Sequence, residues 1–170
     1  LLLCIISIGI ISGFSMYSTD GGELLYHSRN HIIRLVIFFT MMICLSFLNI
    51  RFWHSIGYLF YIIILCLLIW ASLYGVTASG SQRWINLYFI NLQPSELMII
   101  AIIIFYAKFY HRMQISNINN FTNLLIPIAI LILPILLVAS QPDLGTAILI
   151  ALSGLGSLWL AGLHVRYFVY

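Results

Sequence analysis

The sequence predicts an all-α, polytopic membrane bundle, and three observations carry that prediction. Hydrophobic residues make up 63% of the chain and charged residues 6%, against roughly 25% charged in ordinary soluble domains. Apolar runs of membrane-crossing length recur from one end to the other, broken by short polar segments. The runs lack period-two alternation, so a lipid-facing barrel is disfavoured. Helices remain as the way to satisfy every backbone N–H and C=O inside the segment that carries them.

A span needs about 20 apolar residues at 1.5 Å each. Six are expected: Leu1 to Ser18, Ile32 to Ile50, Ser55 to Tyr74, Pro94 to Tyr110, Asn123 to Ser140 and Leu144 to Leu163. The first run is not read as a signal peptide, because no basic segment precedes it, no small-residue cleavage site follows it and five further spans come after. The chain opens on Leu1 rather than Met and closes at Tyr170 in an apolar, aromatic stretch. Residues 1–170 are therefore expected to be a single membrane domain, the N-terminal part of a longer protein.

Orientation follows from the charges beside the spans. With the N-terminus inside, the cytoplasmic connections hold Arg51, His54, Lys108, His111, Arg112, His164 and Arg166 and no acid. The acids Asp20, Glu23, Glu96 and Asp143 then fall outside with Arg29, Arg34 and Arg83. The net charge of +3 is thus a topology signal rather than a sign of nucleic-acid binding. Cys4, Cys44 and Cys66 lie inside apolar runs without metal spacing and are read as packing residues. His27 and His31 have i, i+4 spacing but sit beside Arg29 in a connecting segment, where an interfacial role outweighs a metal site.

The expected outer face is the informative one. Gly75 to Gln93 is too polar to span and too aromatic for a plain linker. A turn is expected near Gly80, followed by a short amphipathic piece lying in the interface, with Arg83 and Trp84 anchored at headgroup level. Two helices then begin alike. Gln93-Pro94-Ser95-Glu96 opens the fourth span and Gln141-Pro142-Asp143 the sixth. Proline is tolerated at the first helical position, and an acid in the first turn interacts favourably with the helix dipole. Either motif alone reads as a cap. Together they place Glu96 and Asp143 on neighbouring parallel helices around one polar vestibule. Helix N-termini favour the ionised carboxylate, so these acids are expected to orient partners or a cation rather than to serve as general acids.

Pro127 and Pro134 should bend the fifth span. Small residues of the sixth, Gly145, Thr146, Ala147, Ser153, Gly154, Gly156 and Ser157, are read as close-packing positions. A bent helix beside a small-residue helix can also leave a groove open to lipid, as a long isoprenoid substrate would require.

Three ordered motifs carry a family resemblance. Ala78-Ser79-Gly80-Ser81-Gln82-Arg83-Trp84, then Gln93-Pro94-Ser95-Glu96, then Ala139-Ser140-Gln141-Pro142-Asp143-Leu144-Gly145-Thr146-Ala147 resemble the SEDS family (shape, elongation, division, sporulation). The likeness is strongest from Ala78 to Leu163. It implies a bacterial inner-membrane enzyme of ten spans, N-terminus cytoplasmic, that polymerises lipid II into peptidoglycan strands on the outer side beside a class B penicillin-binding protein. The reaction class asks for a carboxylate base and for cationic or divalent-metal help at the diphosphate.

The resemblance puts the family's essential Asp, in the outer loop between spans seven and eight, beyond Tyr170, so no catalytic residue is expected here. It also puts Ile99 where the family usually carries Lys, which would leave Glu96 or Asp143 without a charge partner inside the bundle. The residues expected to form an outer-face, substrate-binding cavity are Arg83, Trp84, Gln93, Pro94, Ser95, Glu96, Gln141, Asp143, Gly145 and Thr146. Arg83 is assigned to the diphosphate and Trp84 to isoprenoid or sugar. The rival classes are a lipid-precursor flippase or transporter, which calls for midplane charges and broken helices, and a non-catalytic scaffold or remnant fragment.

Overall fold

The computed structural model describes residues 2–23, 25–78, 81–87, 91–111, 113, 118 and 120–164. Among them the elements run α1 (Leu2–Thr19), α2 (Tyr26–Ser46), α3 (Ile50–Tyr74), β1 (Val76–Ala78), β2 (Ser81–Asn86), β3 (Asn91–Leu92), α4 (Pro94–Tyr110), α5 (Phe121–Ser140) and α6 (Leu144–Leu160). The six expected spans are these six helices. Four of them, α1, α2, α3 and α5, are long and apolar enough to cross a membrane. The other two, α4 and α6, have 17 residues each, the lower end of the crossing range.

Helix starts differ from the expected boundaries where polar residues continue the helix. α2 begins at Tyr26 instead of Ile32 and α3 at Ile50 instead of Ser55. Apolarity marks where hydrocarbon begins, whereas the hydrogen-bond ladder runs on into the interface. His27 and His31 consequently stand on the first turns of α2 and not in a loop. Cys4, Cys44 and Cys66 are also corrected. All three are exposed on their helices, which a small apolar side chain tolerates when its surroundings are lipid.

The chain divides into two compact units, Leu1–Asn49 and Ile50–Tyr170. In the first, α1 ends on Gly21 and Gly22 at φ +78° and +88°, with Gly21 N–H donating to Ser18 C=O and Gly22 N–H to Tyr17 C=O. These bonds satisfy carbonyls that the helix end would leave orphaned, and glycine accepts the left-handed conformation they need. The turn brings Asp20 to the start of α2, where its Oδ2 accepts the Ser28 backbone N–H at 2.7 Å and the Ser28 hydroxyl. Those two bonds hold the Asp20 carboxyl below the usual carboxylate range.

In the second unit α3 packs on α4, and both α4 and α5 pack on α6. Tyr61, Leu68, Met98, Ile102, Tyr106 and Ile150 form the centre of its core. Glycine permits two close approaches. A Cβ at Gly57 would stand 3.2 Å from the Ile104 side chain and 3.3 Å from Lys108. One at Gly154 would stand 2.3 Å from Leu131, so α5 and α6 meet there. Gly145 and Gly156 have nothing within 4 Å of such a Cβ, so Gly154 and the buried Ala147 carry the close packing expected of the small residues.

α5 runs unbroken through both prolines. Leu124, Pro127, Leu131, Pro134 and Val138 share its buried face. Proline at 134 has no N–H for the carbonyl of Ile130, and Tyr61 Oη donates to that carbonyl at 2.8 Å. Tyr106 Oη likewise donates to the Pro127 carbonyl at 2.6 Å. Hydroxyls from α3 and α4 thus replace or add to what the proline helix lacks, and each buried phenol gains the acceptor it requires.

The segment after α3 is a small antiparallel sheet, ordered β1-β2-β3, and not the interfacial amphipathic piece expected. Val76 pairs with Trp84 and Thr77 with Gln82, so the register slips by one and Arg83 is the extra residue of a bulge. β2 pairs onward through Ile85 with Leu92 and Asn86 with Asn91. The turn expected near Gly80, and Tyr88 and Phe89, lie outside the described residues. Gly75 lets the sheet leave α3 tightly, since a Cβ there would meet the Ala71 carbonyl oxygen at 2.3 Å and that of Trp84 at 3.1 Å.

Tyr61→Phe should destabilise the second unit by about 1–3 kcal/mol, the cost of an unsatisfied buried acceptor. Adding Pro134→Ala, which restores an N–H four residues after Ile130, should recover most of that loss. Reversible unfolding in bicelles measures both, and equal costs with and without Pro134 would contradict the assignment.

Candidate functional site

Two neighbouring segments, the sheet and the start of α4, converge with a third one distant in sequence on one carboxylate. Asp143 Oδ2 accepts from Arg83 Nη1 at 2.9 Å and from Gln93 Nε2 at 3.0 Å. Its Oδ1 accepts from the Thr146 backbone N–H at 3.3 Å. Arg83 comes from the bulge of β2, Gln93 is the N-cap residue of α4, and Asp143 is the N-cap of α6. A bulge redirects the side chain of its extra residue, and here that side chain turns to Asp143. Arg83, expected to anchor at headgroup level, has a side chain 25% exposed and paired with that of Asp143, itself 10% exposed.

The helix starts prove less alike than their sequences. Pro94 occupies the first turn of α4 as expected. Pro142 instead precedes the N-cap, and the acid itself caps α6. Asp143 has the short side chain that reaches the N–H three residues on. The longer Gln93 side chain makes no cap and reaches across to α6 instead.

Burial alone would raise the Asp143 carboxyl. The hydrogen bonds from Thr146 and then the Arg83 guanidinium outweigh it and hold the group below the usual carboxylate range. A carboxylate with three donors aimed at it is fixed and ionised, suited to positioning and poorly suited to taking a proton. The charge partner that Ile99 seemed to deny Asp143 is supplied by Arg83, from a different element. Ile99 itself packs against the apolar core.

The remaining expected residues divide by burial. Pro94, Ser95 and Gln141 are buried beside the cluster, with Ser95 Oγ lacking a hydrogen-bond partner among the described residues. Trp84 is half-buried. Glu96 and Gly145 are exposed, and Glu96 makes no ion pair among the described residues. The shared vestibule of Glu96 and Asp143 is thus replaced by a clasp of Arg83, Gln93, Asp143 and Thr146. Among the described residues no three His, Cys, Asp or Glu side chains are placed to hold a metal ion together.

A second pairing escaped the sequence reading. His54 near the start of α3 and His111 at the end of α4 stand with ring centroids 4.7 Å apart. Close by, Lys108 Nζ donates to the Ser55 carbonyl at 2.6 Å and lies 4.5 Å from the Tyr58 ring centroid. These residues, expected on the cytoplasmic side, gather at the opposite ends of α3 and α4 from the Asp143 clasp. Separations of more than 50 residues hide such a pair from any spacing rule.

Fold and clasp together define a multi-pass membrane protein with a buried, ion-paired carboxylate at the mouth of its helix bundle. The family model described as cell cycle protein, for FtsW, RodA and SpoVE, matches residues 1–170, and the chain belongs to that family. It is 32% identical over 166 residues to the peptidoglycan glycosyltransferase MrdB of Escherichia coli K12, covering 98% of this chain and 44% of that protein. It is 34% identical over 152 residues to a probable peptidoglycan glycosyltransferase FtsW of Buchnera aphidicola from Schizaphis graminum, covering 86% and 43%. Among solved structures it is similar to the rod shape determining protein RodA of Thermus thermophilus, with a TM-score of 0.81 at 21% identity over 99% of this chain and 55% of that one. It is also similar to a chain of a peptidoglycan synthase complex, with a TM-score of 0.84 at 21% identity over 99% and 48%. The chain thus spans a little under half the length of these curated relatives.

Asp143→Asn should keep the helix cap while losing the charge, and Asp143→Ala should lose both. The alanine variant is expected to be less stable than the asparagine variant by about 1 kcal/mol, the usual value of a cap. Because the folded carboxyl is lowered, the wild-type stabilisation is complete above the ordinary carboxylate range and fades as the pH falls through the lowered value. Unfolding of both variants and wild type at neutral and acidic pH tests this. Equal stabilities of the two variants would remove the capping role.

Proposed function

We propose that this chain supplies the membrane part of a peptidoglycan glycosyltransferase that extends glycan strands from lipid II during cell elongation. Family membership and the names of its relatives support the reaction class. The observation that carries the reading for these residues is the convergence of the three resemblance motifs on Asp143. The first two motifs are neighbours in sequence and the third lies more than 40 residues on, and their meeting on a single side chain is what a shared site requires.

In the reaction a sugar hydroxyl attacks the anomeric carbon of the growing strand, and lipid diphosphate departs with the bonding electron pair. The base that removes the hydroxyl proton is assigned to a segment outside residues 1–170. Within them, Asp143 holds Arg83 through Nη1 and Nε is buried, so Nη2 is the donor assigned to the diphosphate. Trp84, next to Arg83, is assigned to packing against isoprenoid or sugar. Gln93 and Thr146 fix the carboxylate from opposite sides, so no reorganisation is needed when negative charge grows on the leaving group. A divalent cation would supply further charge neutralisation at the diphosphate. The described residues do not form a site for one, and no step here runs through it.

The clasp is assigned to the outer face of the bacterial inner membrane, with the N-terminus cytoplasmic and a class B penicillin-binding protein as the cross-linking partner. A flippase or transporter calls for helices broken at the membrane centre; α5, which holds both interior prolines, is continuous.

In the complete protein, Asp143→Ala should abolish lipid II polymerisation while expression and membrane insertion stay normal. Gel analysis of labelled glycan strands measures the outcome. Near-normal synthesis would reduce Asp143 to a helix cap, and lipid II translocation into vesicles without polymer would favour the flippase.

A further inference from the structure

Between α1 and α2 runs an open groove of about 780 Å³ that the proposed reaction does not use. His31 and Arg34 line one end, beside Gly13, and the walls then run apolar past Phe38 to Met42. Arg34 stands eight residues inside a 21-residue helix and makes no ion pair among the described residues. A guanidinium in that position needs an anion or water. His31 Nε2 is buried, also without a hydrogen-bond partner among the described residues. Two unengaged polar groups of the kind that bind phosphate therefore share the mouth of an apolar groove. The acids of this unit, Asp20 and Glu23, precede α2 in sequence, and Asp20 is occupied by Ser28.

We propose that this groove binds an anionic glycerophospholipid of the surrounding bilayer, its phosphate on Arg34 and His31 and one acyl chain along the apolar wall. Length decides between this occupant and a polyprenyl phosphate. Arg34 to Met42 covers roughly 12 Å of helix, close to half of a hydrocarbon core about 30 Å thick. That matches an acyl chain confined to one leaflet and leaves most of a polyprenyl chain uncovered. A bound lipid would neutralise Arg34 and fill the space between two helices that contribute one buried residue, Ser28, to any core of their own.

Native mass spectrometry of the complete protein, delipidated and titrated with phosphatidylglycerol or phosphatidylethanolamine, tests the proposal. Phosphatidylglycerol adducts should exceed phosphatidylethanolamine adducts, and Arg34→Gln should weaken them about fivefold, the weight of one basic residue at an anionic lipid surface. Arg29→Gln, on the polar start of the same helix, should change them far less. Gly13→Leu should also weaken binding, because a Cβ there meets nothing within 4 Å and the larger side chain enters the mouth. If that variant fails to fold, Arg34→Gln decides alone. Equal adducts of the two phospholipids, equal effects of Arg29→Gln and Arg34→Gln, or adducts indifferent to Arg34→Gln would overturn the proposal, the last including a groove filled by another part of the protein. Displacement of phosphatidylglycerol by equimolar undecaprenyl phosphate would overturn the choice of lipid.

Discussion

The second unit depends on one carboxylate. Asp143 receives a guanidinium from a sheet bulge, an amide from the start of α4 and a backbone N–H from the start of α6. Each donor alone is worth little in water, but near hydrocarbon the alternative for each is an unsatisfied polar group. The cost of removing the pair from water is recovered only when geometry is good and the remaining lone pairs and protons are occupied; three donors occupy the carboxylate, while Arg83 Nε is buried without a partner among the described residues. The clasp therefore fixes the sheet against two helix ends, and with it the orientation of the Arg83 guanidinium.

The same demand for satisfied polar groups organises the rest of the bundle. Tyr61 serves the Ile130 carbonyl that Pro134 leaves without a donor, and Tyr106 serves Pro127. Asp20 takes the Ser28 N–H at the start of α2. In each case a side chain from one element completes the backbone of another, so register and spacing are set by hydrogen bonds as well as by packing. A lipid solvent gives little hydrophobic preference for one helix face over another, which leaves polar pairing and close approaches such as Gly154 against Leu131 to specify the arrangement.

The helices were legible because apolar length is a direct physical requirement of the bilayer. Their starts were less so: at Tyr26 and Ile50 the ladder continues into polar residues that a hydropathy reading assigns to loops. The members of the site were legible as motifs. Their connections were not, since pairing Arg83 with Asp143 needs the one-residue register slip opposite Thr77 and Val76, and strand pairing with a bulge leaves no periodic trace in so short a segment. Glu96 misled because it repeats the position of an acid relative to a proline, whereas capping geometry, which distinguishes Asp from Glu, decides which acid turns inward. The missing cation at Ile99 misled for a related reason: charge partners are set in space, and the one for Asp143 lies 60 residues earlier in the chain.

The central claim is that Arg83 and Asp143 act as one unit in positioning the diphosphate of a lipid-linked sugar. A double-mutant cycle in the complete protein, with Arg83→Gln, Asp143→Asn and the pair, read by initial rates of lipid II polymerisation, addresses it most directly. Coupled residues should give a double variant no slower than the worse single variant. Losses that multiply independently would contradict the account and leave the ion pair as structure alone.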